Sequence, residues 1–295
     1  QNSCICITLL YLEGFGFTLL LQINHGNKKL MLKKIATIFY FLGFDPRKTF
    51  YSIKGLPYFI RDLFLLFKTK QKDEMKIKLF PILPERFDSS GIAKGHYFHQ
   101  DLWAARKISL SCPDMHIDVG SRIDGFIAHL LVFMDVTVLD IRDLKSNVKG
   151  LTFKKANLMD AKSFDFEQAD SVSCLHTLEH FGLGRYGDPL DLEGWKKGIQ
   201  NLALIAKTGG TLYLSMPVGK ERIEFNAHRV FSPNTVIVEV EKHGFTLTSF
   251  SMVDDSGDFS ENVNPSCAEA FNYGCGLFEF HKTGVGKKKD EIQLK

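Results

Sequence analysis

The sequence predicts an α/β protein: a doubly wound, mostly parallel seven-stranded sheet preceded by a basic helical N-terminal extension. Three observations carry this. From residue 115 onward, short runs rich in β-branched and aromatic residues alternate with stretches of helical periodicity, as βαβ units do. The first run, "MHIDV", ends at Gly120, and the second ends in an acid, Asp140, twenty residues further on. The charge is also split. Residues 1–78 hold 13 Lys and Arg against 5 acids, whereas residues 79–295 hold 24 against 29.

Composition sets the bounds. The 295 residues, 44% hydrophobic and 24% charged, suit one large globular domain with an extension. Four segments are expected: 1–30, 31–80, 81–285 and a Lys-rich tail, 286–295. The six cysteines, Cys4, Cys6, Cys112, Cys174, Cys267 and Cys275, form no C-x-x-C pair. A reduced, cytoplasmic protein without structural disulfides is therefore expected. The apolar run 7–23 carries Glu13 and sits at the short limit for a bilayer span. No A-x-A-like site follows it. Met31 looks like a natural start, so residues 1–30 are expected to lie outside the functional unit.

The extension reads as helical segments broken by "GFDP" (43–46) and "GLP" (55–57). Between residues 31 and 72, nine Lys and Arg face only Asp45 and Asp62, with Phe39, Phe41, Phe44, Phe59, Phe64 and Phe67 among them. Basic charge interleaved with aromatics fits peripheral association of residues 31–72 with an anionic membrane, at the inner surface. The plainer alternative is a helix whose aromatics pack on the main domain. No nucleic-acid partner is expected, and the oligomeric state is left open.

Each later element has its own warrant. "VTVLDI" (136–141), "GLTFKKANL", "DSVSCL" (170–175), "TLYLSMPV" (211–218), "FTLTSFSMV" and "GCGLFEFHK" read as strands. "IDGFIAHLLVFM" and residues 191–206 carry helical spacing, and "KTGG" (207–210) stops the second helix. In such folds a ligand sits beyond the carboxyl ends of the strands. There Gly120 allows a tight turn and Asp140 can accept both hydroxyls of a ribose.

One motif competes with this reading. "HTLEH" (176–180) matches H-x-x-E-H, an inverted zinc-protease pattern. That pattern needs a long helix, and Gly182, Gly184 and Gly187 interrupt one at once. No metal is expected in this chain, and it should purify with far less than one zinc. A place at the mouth of the ligand site is preferred.

"IDVG…VLDI…LHTLEH…LIAKTGGTLYLSMPVG" resembles the class I S-adenosylmethionine-dependent methyltransferases. "GHYFHQDLWAARKI", "HIDVGSRIDGFIAHL" and "FNAHRVFSP" more closely resemble a family known as domain of unknown function 268, over about residues 40–280. The resemblance implies S-adenosylmethionine as cofactor, held by Asp118, Gly120, Ser121, Arg122, Asp140, Asn157, Leu158 and Met159. Arg122 and Asp124 stand where that loop usually has glycines. Arg122 could pair with the methionine carboxylate. Some family members sit among cell-surface polysaccharide genes, which implies O-methylation of a glycan or glycan precursor. His176, Glu179, His180 and His228 are then the candidate catalytic groups, and Arg229 the candidate for an acidic group of the substrate. A catalytically inactive cofactor-binding module of a polysaccharide assembly system is the alternative. A nicotinamide reaction fits less well, because G-x-G-x-x-G is absent around Gly120.

Overall fold

The computed structural model describes residues 39, 43–69, 77–160 and 168–284. The apolar run 7–23, the tail 286–295 and parts of the extension lie outside the described residues. The chain divides into two compact units, between Ile92 and Ala93.

The first unit is built on α1 (Pro46–Lys68). Asp45 caps it by accepting hydrogen bonds from the amides of Arg47 and Lys48 at 2.9 and 3.0 Å, and Pro46 fits the first turn. The expected break at 55–57 does not occur. Pro57 removes only one donor and the helix carries on through it. Gly55 lies against the backbone carbonyl of Leu83, where a Cβ has no room. A 3-10 turn, Pro84–Phe87, belongs to this unit. Phe87 packs on Tyr51 and Tyr58, with centroids 5.6 and 6.0 Å apart, and Lys54 lies 4.6 Å over its ring. Residues up to Ile92 fall in this first unit, whereas the α/β domain is expected from the sequence to begin at residue 81. Phe50, Ile53, Phe64 and Phe67 are each more than 60% exposed. Among the described residues no helix is long and apolar enough to cross a membrane.

The second unit opens with α2 (His96–Ser111) and then winds the sheet: β1 (His116–Val119), β2 (Val136–Asp140), β3 (Leu151–Lys155), β4 (Ala169–Leu175), β5 (Ala206–Val218), β8 (Phe245–Val253), β9 (Phe259–Ser260) and β10 (Gly274–Lys282). Their spatial order is β3-β2-β1-β4-β5-β10-β8-β9. β1 to β5 pair in parallel, whereas β10 runs antiparallel between β5 and β8. The sheet is doubly wound and mostly parallel, as expected, with an eighth strand in the short edge β9. A separate hairpin, β6 (Arg222–Glu224) and β7 (His228–Val230), follows β5. Strand order reverses between β1 and β4, so a crevice opens at their carboxyl ends.

Alternation along the strands supplies two cores. Leu212, Leu214, Met216 and Phe278 face α4 (Gly194–Ile205) and α5 (Pro233–Glu241). Tyr213, Cys275 and Leu277 face α2. The expected helix over "IDGFIAHLLVFM" is instead a π turn, Ile123–Ile127, and a short α3, Ala128–Leu130. The residues expected to stop α4 at 207–210 already belong to β5.

Phe278 is fully buried between its strand neighbours and packs on Phe250 at 4.9 Å. Phe278→Ala is expected to lower stability by about 3–5 kcal/mol, seen as a lower urea midpoint for the α/β unit.

Candidate functional site

The crevice is shaped first by the turn after β1. Asp118 is fully buried, and its carboxylate accepts from Ser121 N (3.0 Å), Ser121 Oγ (2.6 Å) and Ser173 Oγ (2.5 Å). Burial pushes its pKa up to about 6, against the pull of these donors. Asp118 and Ser121 therefore brace the turn from beneath rather than line the cleft, which corrects their expected place among the cofactor-contacting side chains. Gly120 takes φ +72°, and a Cβ there would strike Thr177. That position requires glycine on both counts.

Two adjoining clefts open here. The first is lined by Gly120, Asp140, Asn157, Leu158 and Met159, with apolar Leu139, Ile141 and Phe181. The second is wider and more polar and is lined by Tyr97, Arg122, Glu179, Arg185, His228 and Tyr273, among others. Gly120, Arg142, His176, His180 and Tyr186 border both. In the first cleft the Asp140 carboxylate is occupied. Arg142 donates to it through Nε at 3.0 Å and Nη2 at 2.6 Å, and its guanidinium lies 4.6 Å over the Tyr186 ring. Arg122 pairs with Asp124 at 2.9 Å and lies over Tyr97.

The histidine cluster follows β4. His176 takes φ +48°, unusual for a residue with a side chain. "LEH" is a three-residue 3-10 turn, Leu178–His180, and Gly182, Gly184 and Gly187 all have positive φ. The long helix of a zinc protease does not form. Glu179 is fully buried, with Oε1 2.8 Å from His176 Nδ1 and 3.7 Å from His180 Nε2. Burial disfavours the His176 cation, but the Cys275 sulfur and the Glu179 carboxylate more than offset it and raise its pKa. Burial acts against the Glu179 anion in turn, and His176 outweighs it, so its pKa falls. His180 Nδ1 lies 2.7 Å from the Ala227 carbonyl, which only a protonated Nδ1 can satisfy. Its pKa is lowered, chiefly by burial, so the ring is neutral and Nε2 carries the lone pair. His228 is lowered by the same cause. Burial, then the neighbouring His176, pushes His96 down to about 4.

All four candidate catalytic residues thus meet at the junction of the clefts. Arg229 does not. It is 4% exposed, and its guanidinium donates to the carbonyls of Phe181 (2.6 Å), Leu192 (3.2 Å) and Glu179 (3.4 Å). It braces the loop behind the cluster, which corrects its expected substrate role. Arg185 faces the second cleft instead. It donates to Ala227 O at 2.9 Å and has no acidic partner among the described residues. Sequence reasoning missed Arg142, Arg185, Tyr186, Tyr97 and Tyr273. "GRYGD" (184–188) had served only as a helix breaker, and Tyr97 lies in the "GHYFHQD" phrase quoted for resemblance alone.

The family model described as Caenorhabditis protein of unknown function, DUF268, matches residues 127–258. No curated protein is similar to the chain in sequence. Among solved structures, the chain is similar to the N-methyltransferase NodS from Bradyrhizobium japonicum WM9 bound to S-adenosyl-L-homocysteine, at 14% identity and TM-score 0.46, over 68% of this chain and 92% of that one. It is also similar to a putative sarcosine dimethylglycine methyltransferase from Galdieria sulphuraria, at 12% identity and TM-score 0.46, over 63% and 86%. The [4+2]-cyclase SpnF aligns at 13% identity and TM-score 0.46, over 66% and 89%.

The two arginines should separate by their effects on stability. Arg229→Gln is expected to cost about 2–4 kcal/mol, because buried carbonyls lose charged donors. Arg185→Gln should stay within about 0.5 kcal/mol. Urea unfolding of both variants checks this.

Proposed function

We propose that the protein is an S-adenosylmethionine-dependent methyltransferase acting on a hydroxyl of a glycan or glycan precursor. The observation that carries this is the junction of two clefts at the switch point, with Gly120 and Asp140 in one and His180 bordering both. The first cleft fits the cofactor. Asp140 stands at a strand end where a carboxylate can accept ribose hydroxyls, and apolar Leu139, Ile141, Leu158 and Phe181 offer walls for a purine. The turn at Gly120 lets the backbone approach without a side chain. When bound, S-adenosylmethionine supplies an electrophilic methyl group.

The chain's own groups then position the acceptor, on which much of an in-line displacement depends. His180 is suited to take the proton of an acceptor hydroxyl at Nε2, because the Ala227 carbonyl holds the proton on Nδ1. Glu179 lies close enough to stabilise the imidazolium that forms. Arg185 and Arg122 give the second cleft a cationic wall suited to an acidic sugar. A second reading, an inactive cofactor-binding module, draws on the Arg142 guanidinium that already occupies both oxygens of Asp140.

Calorimetry separates the two readings from a third, no cofactor at all. Binding of S-adenosylmethionine is expected, weakened by about 1–3 kcal/mol in Asp140→Ala through lost charge-assisted hydrogen bonds. No heat at millimolar cofactor would sink both cofactor readings. Methyl incorporation into acidic glycan acceptors, lost in His180→Ala with binding retained, then distinguishes enzyme from inactive module.

The extension has its own reading, docking on an anionic membrane surface. The exposed aromatics of α1 and its one-sided charge support it. Each basic group near such a surface contributes on the order of 1 kcal/mol, and salt weakens this. Liposome flotation should require anionic lipid, fall with salt and vanish without residues 1–72. Equal flotation with neutral lipid excludes it.

A further inference from the structure

We propose that His96, His176 and Cys275 form a transition-metal site, fitted to zinc, beside the second cleft. No metal is expected from the sequence, so this site departs from that expectation; it takes His176 from the H-x-x-E-H pattern but joins it to His96 and Cys275 instead of His180. It draws on three elements far apart in the chain. His96 is the first residue of α2, His176 directly follows β4, and Cys275 lies on β10 in the core that faces α2.

The ligand atoms of all three lie within 4.8 Å of one another. The rings of His96 and His176 are stacked, with centroids 5.3 Å apart and planes inclined by 18°, so a shared ion requires a turn of one imidazole about its side-chain bonds.

His176 supplies the independent sign of a ligand. Its side chain is 5% exposed, and Nε2 is buried with no hydrogen-bond partner. A buried polar nitrogen left alone costs free energy. Its other nitrogen, Nδ1, is held by Glu179 at 2.8 Å. A carboxylate on one ring nitrogen directs the lone pair of the other outward and is the usual support of a metal-binding histidine. Cys275 Sγ is buried, lies 3.7 Å from the Gly276 carbonyl and faces the His176 ring. One thiolate and two imidazoles form a set that zinc favours. His180 is not part of the cluster, and its Nδ1 is held by the Ala227 carbonyl. Three protein ligands leave a fourth position of a tetrahedral ion for water or a substrate oxygen, and His176 also borders the second cleft.

The test uses the full chain, purified without a polyhistidine tag and dialysed against zinc. Elemental analysis should find about one zinc per chain. Cobalt substitution should give a thiolate-to-metal charge-transfer band that Cys275→Ser removes. Competition with a chromogenic chelator should show His96→Ala weaker by at least tenfold and Glu179→Gln by about ten- to hundredfold. His180→Ala should keep the metal. Circular dichroism checks that each variant is folded, and the wild-type stoichiometry and cobalt spectrum stand without any variant. Zinc far below one per chain, a cobalt spectrum unchanged by Cys275→Ser, or loss of zinc in His180→Ala equal to that in His96→Ala would overturn the site. Asp140→Ala should hold full zinc, so failure of the cofactor reading and failure of this one show separately.

Discussion

The arrangement at the mouth of the clefts depends on the burial of one carboxylate, Glu179. An ionised carboxylate removed from water is costly unless charge and hydrogen bonds surround it. His176 supplies the charge at 2.8 Å, and His180 stands next at 3.7 Å. The same acid therefore fixes both rings, one by a hydrogen bond and the other by its field. The backbone around it is tied down separately. Arg229 gathers the carbonyls of Glu179, Phe181 and Leu192. Gly198 of α4 comes so close to Leu178 and Phe181 that a Cβ would lie 2.6 Å from the Leu178 side chain. A three-residue turn holds its shape here because helix, hairpin and loop all press on it.

This dependence also explains which parts were legible in the sequence. β8 and β10 appear with the boundaries their composition implies, because nine-residue β-rich runs bounded by Gly or polar turns have few alternative structures. Asp140 and Gly120 were legible because one βαβ unit sets their spacing. α1 was misread at Gly55 and Pro57, since a glycine required by close packing looks the same in sequence as a glycine that ends a helix. Arg229 was misread for a related reason. An arginine beside a candidate base looks like a substrate ligand until its guanidinium is seen to be filled by backbone carbonyls. Arg185, Tyr273 and Cys275 were missed because only the folding of the sheet brings them to His176.

The turn below the first cleft follows the same logic as the turn above it. Asp118 is buried and holds Ser121 and Ser173, as Glu179 holds His176. Each carboxylate organises a tight turn by accepting hydrogen bonds rather than by reaching a ligand. The residues left for ligands are those whose polar atoms are not consumed in this way. His180 Nε2 and Arg185 are in that position in the second cleft. In the first cleft the expected acid, Asp140, is not.

Magnitudes decide whether Arg142 closes that cleft. The Arg142 side chain is 52% exposed, although Asp140 is only 13% exposed. Pairs of this half-exposed kind contribute about 0–1 kcal/mol, since water competes for the cation and the long side chain loses freedom. Its hold on Tyr186 adds a cation–π contact worth about 0.5–1 kcal/mol at such a site. Two ribose hydroxyls on an ionised carboxylate are worth more, about 1.5–3 kcal/mol for each charged hydrogen bond. Arg142 is therefore a weak stopper on a stronger site. It keeps the Asp140 carboxylate satisfied when nothing else does, and it yields to a ligand that presents two hydroxyls. Arg142 borders both clefts and stands beside Arg122 and Arg185 in the lining of the second.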